Sequence, residues 1–444
     1  MKLLPILLLS IITAGHAAPP AINPQPPAIP ERRFVITDYG AVGDSETLNT
    51  EAFRKAIAAC REAGGGRVVV PSGVFVTGPF ELASNTALVL DKAAVIRGSA
   101  QFSDWGQASG GSDEAKLPVS PLITGKELSN VAILGEGTVD GNGAVWWQRF
   151  RAEVAAGAPK QGQAKPGQKP ATPRPHLIRL TNCRSVHVAG VTLKDAPNFH
   201  LVPQKCEDVL IEDVKIFAPD DSPNTDGIDP TSCRNVLIRR CLIDVGDDNI
   251  SFKSNRKSWP LENVLVTDCT FKHGHGASIG SNFGSGVRNL TVQNCTFEGT
   301  DNAIRLKSSR DRGGPVENVT YRDITMKNVG TATTFNLFYA DKPGVKARET
   351  KPVTESTPIV RGIRVINVTC ESAKNAGDII GLPEMPIDDV LFENVRINSQ
   401  KGMFVQDAKG VEFRNVEIRP AKGEPLFINS AEVKKTSATA NGRE

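Results

Sequence analysis

The chain has 444 residues and a formal net charge of +3. That balance is too weak for binding nucleic acid by charge alone, and no basic patch interleaved with aromatics occurs. Forty Gly and 30 Pro, with only 6% aromatics, suit a turn-rich β protein better than a helical bundle.

The first residues read as a secretory leader. Lys2 gives the positive start, Leu3 to Ile12 give a short apolar run, and Gly15-His16-Ala17 offers small residues for cleavage. The leader is expected to span residues 1–17, with net charge falling to +2 once Lys2 leaves. An uncleaved interfacial anchor is the alternative. No later segment is apolar enough to span a bilayer, so the mature chain is expected to be exported and free of the membrane. Residues 18–32 follow as a linker, with six prolines between Pro19 and Pro30. Glu51 to Ala63 is expected to form a helix that caps the first coil of the fold. Phe53, Ala56, Ile57 and Cys60 share one face, Thr50 is the expected N-cap, and Gly64-Gly65-Gly66 ends the helix.

From Val186 a pattern recurs, with apolar residues at offsets 0, 2, 5 and 7. It runs Val186, Val188, Val191, Leu193 and returns from Val209, Val236, Val264, Leu290 and Val319, at steps of 23, 27, 28, 26 and 29 residues. Further copies begin at Ile363, Val390 and Val411, and Val131 opens a looser early one. Offsets 0 and 2 share one face of a strand. The odd step from 2 to 5 calls for a bend that returns the second pair to the inside. One such pair cannot bury itself, but a stack can. The expected fold is all-β: a right-handed parallel β-helix over residues 33–430 with an N-terminal capping helix, followed by a polar tail over 431–444. A β-propeller is the runner-up, though its blades need about 40 residues or more.

Cys183, Cys206 and Cys233 each lie three residues before offset 0, and Cys241, Cys269 and Cys295 each occupy offset 5. Two ladders of buried thiols are the expected reading. One or more disulfides are the alternative that export permits. Ala155 to Arg174, rich in Pro, Gln, Gly and Lys, reads as a mobile loop, and the long step from Val319 to Ile363 as a second insertion.

Past offset 7, each coil continues into a third short strand. Asn249 to Ser254, Gly276 to Ser281 and Ala303 to Ser308 align, with Ile250, Ala277 and Ile304 inward. Arg305 and Lys307 then point outward together, and His275 stands beside Asp248 on the next coil, about 4.8 Å away. Just before these strands lie Asn224-Thr225-Asp226, Gly246-Asp247-Asp248 and Gly274-His275-Gly276. Taken singly, each has a plain reading: an Asx turn, a turn dipeptide, a turn histidine, a solvated strand face. Their shared coil phase makes one surface of them. Three close carboxylates cannot all ionise freely, so one acid retains its proton. Glycoside hydrolysis needs that division between a proton donor and a carboxylate that activates water. Arg305 and Lys307 suit a substrate carboxylate.

Together these elements resemble the polygalacturonases of glycoside hydrolase family 28, whose set is Asn-Thr-Asp, Gly/Gln-Asp-Asp, Gly-His-Gly and Arg-Ile-Lys. Tyr39 to Asp44, Gly64 to Pro71 and Gly135 to Gly141 look like earlier landmarks of that family, so the resemblance runs from about Phe34 to about Ile428. It implies inverting, single-displacement cleavage of α-1,4-galacturonosyl linkages. Asp247 would be the general acid, Asp226 and Asp248 would hold and deprotonate the water, and His275 would tune the proton inventory. Arg305 and Lys307 would bind the galacturonate carboxylate, with Asn224 shaping the subsite and Tyr339 matching a substrate-binding Tyr. No metal or organic cofactor is implied, and the partner is an acidic polysaccharide or oligogalacturonide met by a monomer. Asn249 departs from the pattern, standing where many members have Cys. Gly-His-Gly favours a galacturonate backbone over rhamnogalacturonan, and a rhamnogalacturonan or xylogalacturonan hydrolase is an alternative. A calcium-dependent pectate lyase and a non-catalytic glycan-binding β-helix are the competing readings.

Overall fold

The computed structural model describes residues 22–106, 119–160, 168, 170–339 and 349–436. The leader expected at 1–17, residues 18–21 of the linker and residues 437–444 of the tail lie outside the described residues.

The offset pattern becomes hydrogen-bonded rows. Val186, Val209, Val236, Val264, Leu290, Val319, Ile363 and Val390 stand directly above one another in parallel register. All of them are buried, and each contributes roughly 1.5–3 kcal/mol relative to exposure. A second parallel sheet stacks the offset-7 row, as in Leu193, Ile216, Ile243, Phe271 and Phe297. A third is built from strands such as Ile250–Ser254, Ala277–Phe283 and Asn302–Lys307. The chain is thus a right-handed parallel β-helix, with one apolar core running along its axis.

The bends have a local cause that the sequence carries at fixed places. Gly190, Asp213, Arg240, Asp268, Asn294 and Asp323 all sit at offset 4 with φ between 51 and 76°. Ser185, Asp208, Asn235, Asn263, Asn289 and Asn318 sit just before offset 0 with φ between 53 and 58°. Left-handed backbone is tolerated best by Gly, Asn and Asp, which supply most of these positions. The asparagines also pass an amide bond from coil to coil. Asn263 Nδ2 donates to Asn235 Oδ1 at 3.2 Å, Asn289 to Asn263 at 3.0 Å and Asn318 to Asn289 at 2.8 Å.

The capping helix, α1, spans Thr50–Glu62 and buries Ala52, Phe53, Ala56, Ile57 and Cys60. Phe53 stacks on Phe80 with ring centroids 4.6 Å apart. The cap residue is Asn49 rather than Thr50. Thr50 Oγ instead accepts from Gly78 N at 2.7 Å, and Asn49 bonds both ways with the Val42 main chain.

A second helix, α2, spans Ala144–Ala155 and leads into the insertion expected from Ala155. The described part of that insertion is tied down: Ala171 N donates to Pro159 O at 2.9 Å, and Thr172 Oγ to Glu153 at 2.8 Å. The long step from Val319 to Ile363 is one coil, since these residues pair directly, and it holds the strand Val329–Asn336. At the far end, extended structure continues past 430 to Thr436, with Ala431 and Val433 packed partly against the core. Among the described residues, no helix is long and apolar enough to cross a membrane.

All eight cysteines are buried and free. Cys206 N approaches Cys233 Sγ at 3.4 Å, and burial pushes the Cys206 thiol well up. Both ladders are therefore thiol ladders. A thiol reagent is expected to label none of the eight in the folded protein and all eight in denaturant, where mass spectrometry would count them. Labelling of fewer than eight after denaturation without reductant would reveal a disulfide.

Candidate active site

The turn between the second and third strands of successive coils carries the candidate residues. Asp226 follows Lys215–Phe217, Asp247 and Asp248 follow Leu242–Asp244, and His275 follows Thr270–Lys272. Asn249 fastens these turns together. Its Nδ2 donates to the carbonyls of Ile243, Lys272 and His273 at 2.8–3.1 Å, and its Oδ1 accepts from Gly276 N at 2.8 Å. A thiol at this position could not supply both roles. Gly276 has φ of 77°, and a Cβ there would lie 2.1 Å from the Asn302 carbonyl oxygen, so only glycine fits.

Extending the strand register puts Asp226 level with Asp248, and Asp248 level with His275. The level neighbour of His275 is nevertheless not its hydrogen-bonded one. Nδ1 lies 3.1 Å from Asp247 Oδ1 and 3.9 Å from Asp248 Oδ1. The reason is that the Asp248 carboxylate is already taken. Lys307 Nζ donates to it at 2.7 and 3.0 Å, Ser278 Oγ at 2.8 Å and Ser251 Oγ at 3.0 Å, with Arg305 Nη1 at 3.4 Å. His275 N donates to the Asp247 carbonyl at 2.9 Å, which brings the ring over that residue. Asn224 Nδ2 donates to Asp247 Oδ2 at 3.3 Å.

These surroundings divide the acids. Burial alone would raise Asp247, but the His275 hydrogen bond and charge, with the Lys307 ammonium, hold it below the usual carboxylate range. Asp248 is likewise lowered: burial opposes ionisation, and Lys307 and then Arg305 outweigh it despite the nearby Asp247 charge. Burial lowers His275, yet Asp247 more than reverses this, so the imidazole is raised above its ordinary value. Asp226 is pushed well up by burial and by the charges of Asp229 and Asp247. In the free site, then, the proton that Asp247 would need rests on His275, and Asp226 is the acid least inclined to ionise.

Arg305 and Lys307 share the outward face of their strand, as the alternation requires. Tyr339 joins them, with its ring centroid 5.6 Å from the Arg305 guanidinium carbon and 5.3 Å from Lys307 Nζ. Four further residues belong to the site without a motif to announce them. Arg174 Nη1 donates to the Pro197 carbonyl at 2.7 Å and also contacts that of Pro223, while Nη2 donates to Asn224 Oδ1 at 2.8 Å. Burial lowers the Arg174 guanidinium to about 10, against the pull of Asp247 and Asp226. Lys253 contacts Asp229 and lies 3.3 Å from Asp226 Oδ2. His176 stacks on Phe199 with centroids 4.7 Å apart and is kept neutral by burial, its pKa lowered to about 3.

Asp247, Asp248 and His275 bring ligand-type atoms within 4.8 Å of one another. The residues present do not suit a divalent cation. Lys307 and Arg305 already occupy Asp248, and a metal there would face two fixed positive charges at close range.

The family model for "Glycosyl hydrolases family 28" matches residues 60–406. The chain belongs to glycosyl hydrolases family 28. As a member of that family it is a glycoside hydrolase. The chain is 30% identical over 381 residues to a "Probable polygalacturonase" of Vitis vinifera, covering 82% of this chain and 74% of that one. It is 31% identical to an "Endo-polygalacturonase" of Pectobacterium parmentieri, over 80% of this chain and 85% of the relative. Its fold matches that of a hyperthermoactive exopolygalacturonase from Thermotoga maritima with a TM-score of 0.76, at 30% identity over 89% of this chain and 93% of that one.

Proposed function

We propose that this family 28 hydrolase is an exported enzyme that cleaves α-1,4-galacturonosyl linkages of polygalacturonan with inversion. The observation that carries the reading is the pairing of His275 Nδ1 with Asp247 at 3.1 Å, beside a buried anion, Asp248, held by Lys307. In this reading Asp247 protonates the glycosidic oxygen, and the proton that it delivers is held at rest by His275. Asp226 keeps Oδ1 without a hydrogen-bond partner among the described residues. In this reading that buried oxygen accepts from the attacking water once substrate is bound and takes its proton as the C–O bond breaks. Asp248 stays ionised under Lys307, a fixed negative charge beside the same water. Arg305, whose fork contacts Asp248 through Nη1 only, at 3.4 Å, offers its remaining donors to the substrate carboxylate. Tyr339, about half exposed, gives a sugar ring an apolar face to lie on. Export is supported by the leader pattern at 1–17.

Attack from one chain end is the finer reading, and α2 supports it. Arg151 Nη2 donates to the Asp221 carbonyl and carboxylate, both at 2.8 Å, and Arg174 bridges Pro197 to Asn224. The insertion thus reaches the turn that carries Asp226, across the single coil between them.

One incubation tests both readings. Digesting polygalacturonate in an NMR tube is expected to give the β anomer first, before mutarotation, and mono- or digalacturonate from the earliest time. An initial α anomer would overturn inversion, an unsaturated ultraviolet-absorbing product would mean elimination, and early long oligomers would overturn chain-end attack.

A further inference from the structure

Lys253 and Asp229 lie outside all four motif elements, yet they are built into the site. Asp229 is 1% exposed, and Lys253 Nζ contacts it while lying 4.3 Å from the centre of the Phe199 ring. The same Nζ is 3.3 Å from Asp226 Oδ2. On the outward row of the third sheet, Gly280 stands level with Lys307, while Lys253 falls at the register shift between Phe252 and Ser254. Gly280 can carry no side chain, since a Cβ there would lie 2.1 Å from the Lys307 carbonyl oxygen. Lys307 serves Asp248 and Lys253 serves Asp226, so each carboxylate facing the water has its own cation.

We propose that Lys253 is a positioning residue that aims Asp226 at the attacking water and favours its ionised form against the burial that pushes this acid up, and that Asp229 anchors Lys253 while drawing off part of its charge. The proposal rests on reading Asp226 as the base. A purely structural Lys253–Asp229 pair would not need the third contact, to Asp226. The electrostatics agree with the geometry. Burial and the charges of Asp229, Asp247 and Asp248 all drive Asp226 toward its protonated form, and Lys253 opposes them. The other groups facing Asp226 cannot take over that task. Arg174 is drawn to Asp247 as well as to Asp226. His200 Nε2 accepts from Ala196 N, so Nδ1 donates to the Asp226 main-chain carbonyl at 3.0 Å. The His200 ring is neutral, its pKa lowered by burial to about 4, and His176 is neutral for the same reason.

The test compares pH–rate profiles on polygalacturonate for Lys253→Met, Lys253→Arg, Asp229→Asn and Asp226→Asn, with a melting curve for each. Removing the cation raises the Asp226 pKa, so Lys253→Met should move the acid limb of kcat up by about one pH unit. It should also lower kcat about tenfold on the plateau. Removing the competing anion has the opposite sign, so Asp229→Asn should move that limb to lower pH. Lys253→Arg should restore most of the wild-type profile. Both Lys253→Met and Asp229→Asn break the same ion pair and lower the melting temperature. If they do so while leaving the acid limb in place, or move it in the same direction, the role is structural only and the proposal falls. Substantial activity in Asp226→Asn would instead sink the reading of Asp226 as base, a result separable from the other two.

Discussion

Asp247→Asn is expected to lower kcat on polygalacturonate by roughly 10²–10⁴-fold, the range a general acid contributes, with little change in KM. The substitution is nearly isosteric. It removes the carboxylate that His275 and Asn224 contact without emptying the site. What is lost is the ability to receive a proton from His275 Nδ1 and pass it to the leaving oxygen. A substrate with an activated leaving group, such as an aryl galacturonide, needs less protonation, so the fall there should be smaller. The partner residue makes a second check. His275 is raised because Asp247 favours its charged form. The native pair therefore retains its proton above the ordinary imidazole range, and activity falls only when that proton is lost. In His275→Ala the proton must reside on Asp247 alone, so the alkaline limb should move to lower pH. An Asp247→Asn enzyme within about threefold of wild type on the polymer would show that another residue is the acid.

Lys307→Met is expected to destabilise the fold by about 3–5 kcal/mol, the cost of stripping one partner from a buried ion pair. Lys307 and Asp248 are both nearly inaccessible, and Nζ reaches both carboxylate oxygens. Without the ammonium, burial dominates and the Asp248 pKa rises. The loss then depends on pH with a definite sign. Asp248 is lowered in the native protein, so its contribution is present above the unfolded carboxylate pKa and fades as pH falls through the folded one. In the variant, acid protonates Asp248 and removes the buried charge. Denaturant unfolding should accordingly show the largest gap from wild type at neutral pH and a smaller one near pH 4. Adding Asp248→Asn to Lys307→Met should recover most of the stability and none of the activity. A gap that widens on acidification would contradict the assignment.

The β-helix was legible because its cause is periodic. The offset-0 row from Val186 to Val390 is the row that pairs, and the inward register of Ile250, Ala277 and Ile304 follows from alternation alone. Arg305 and Lys307 were therefore placed correctly without any knowledge of the side chains around them. His275 was placed level with Asp248, but strand register does not say which carboxylate remains free. Lys307 and two serines had claimed Asp248, and that competition is visible only in three dimensions. Lys253 stood in plain view, in the same aligned column as Lys307. Its partner Asp229 did not, because Ile228 and Thr231 make only isolated bridges and show no strand pattern. Arg174 and α2 come from an insertion, which has no register to extend. The left-handed bends could have been found, since Asn, Asp or Gly recurs at two fixed offsets in nearly every coil.

Arg151 and Arg174 fasten α2 and its insertion to the turn that carries Asn224. In the chain-end reading this gives the fragment cut from the polymer a blind alley with the rest of the polymer across its mouth. The long chain must back out before the small product can leave. Each cut then ends an encounter, and the enzyme nibbles every chain in a sample instead of consuming one before starting the next. A partly digested polymer of narrow length distribution would stay narrow and shift as a whole.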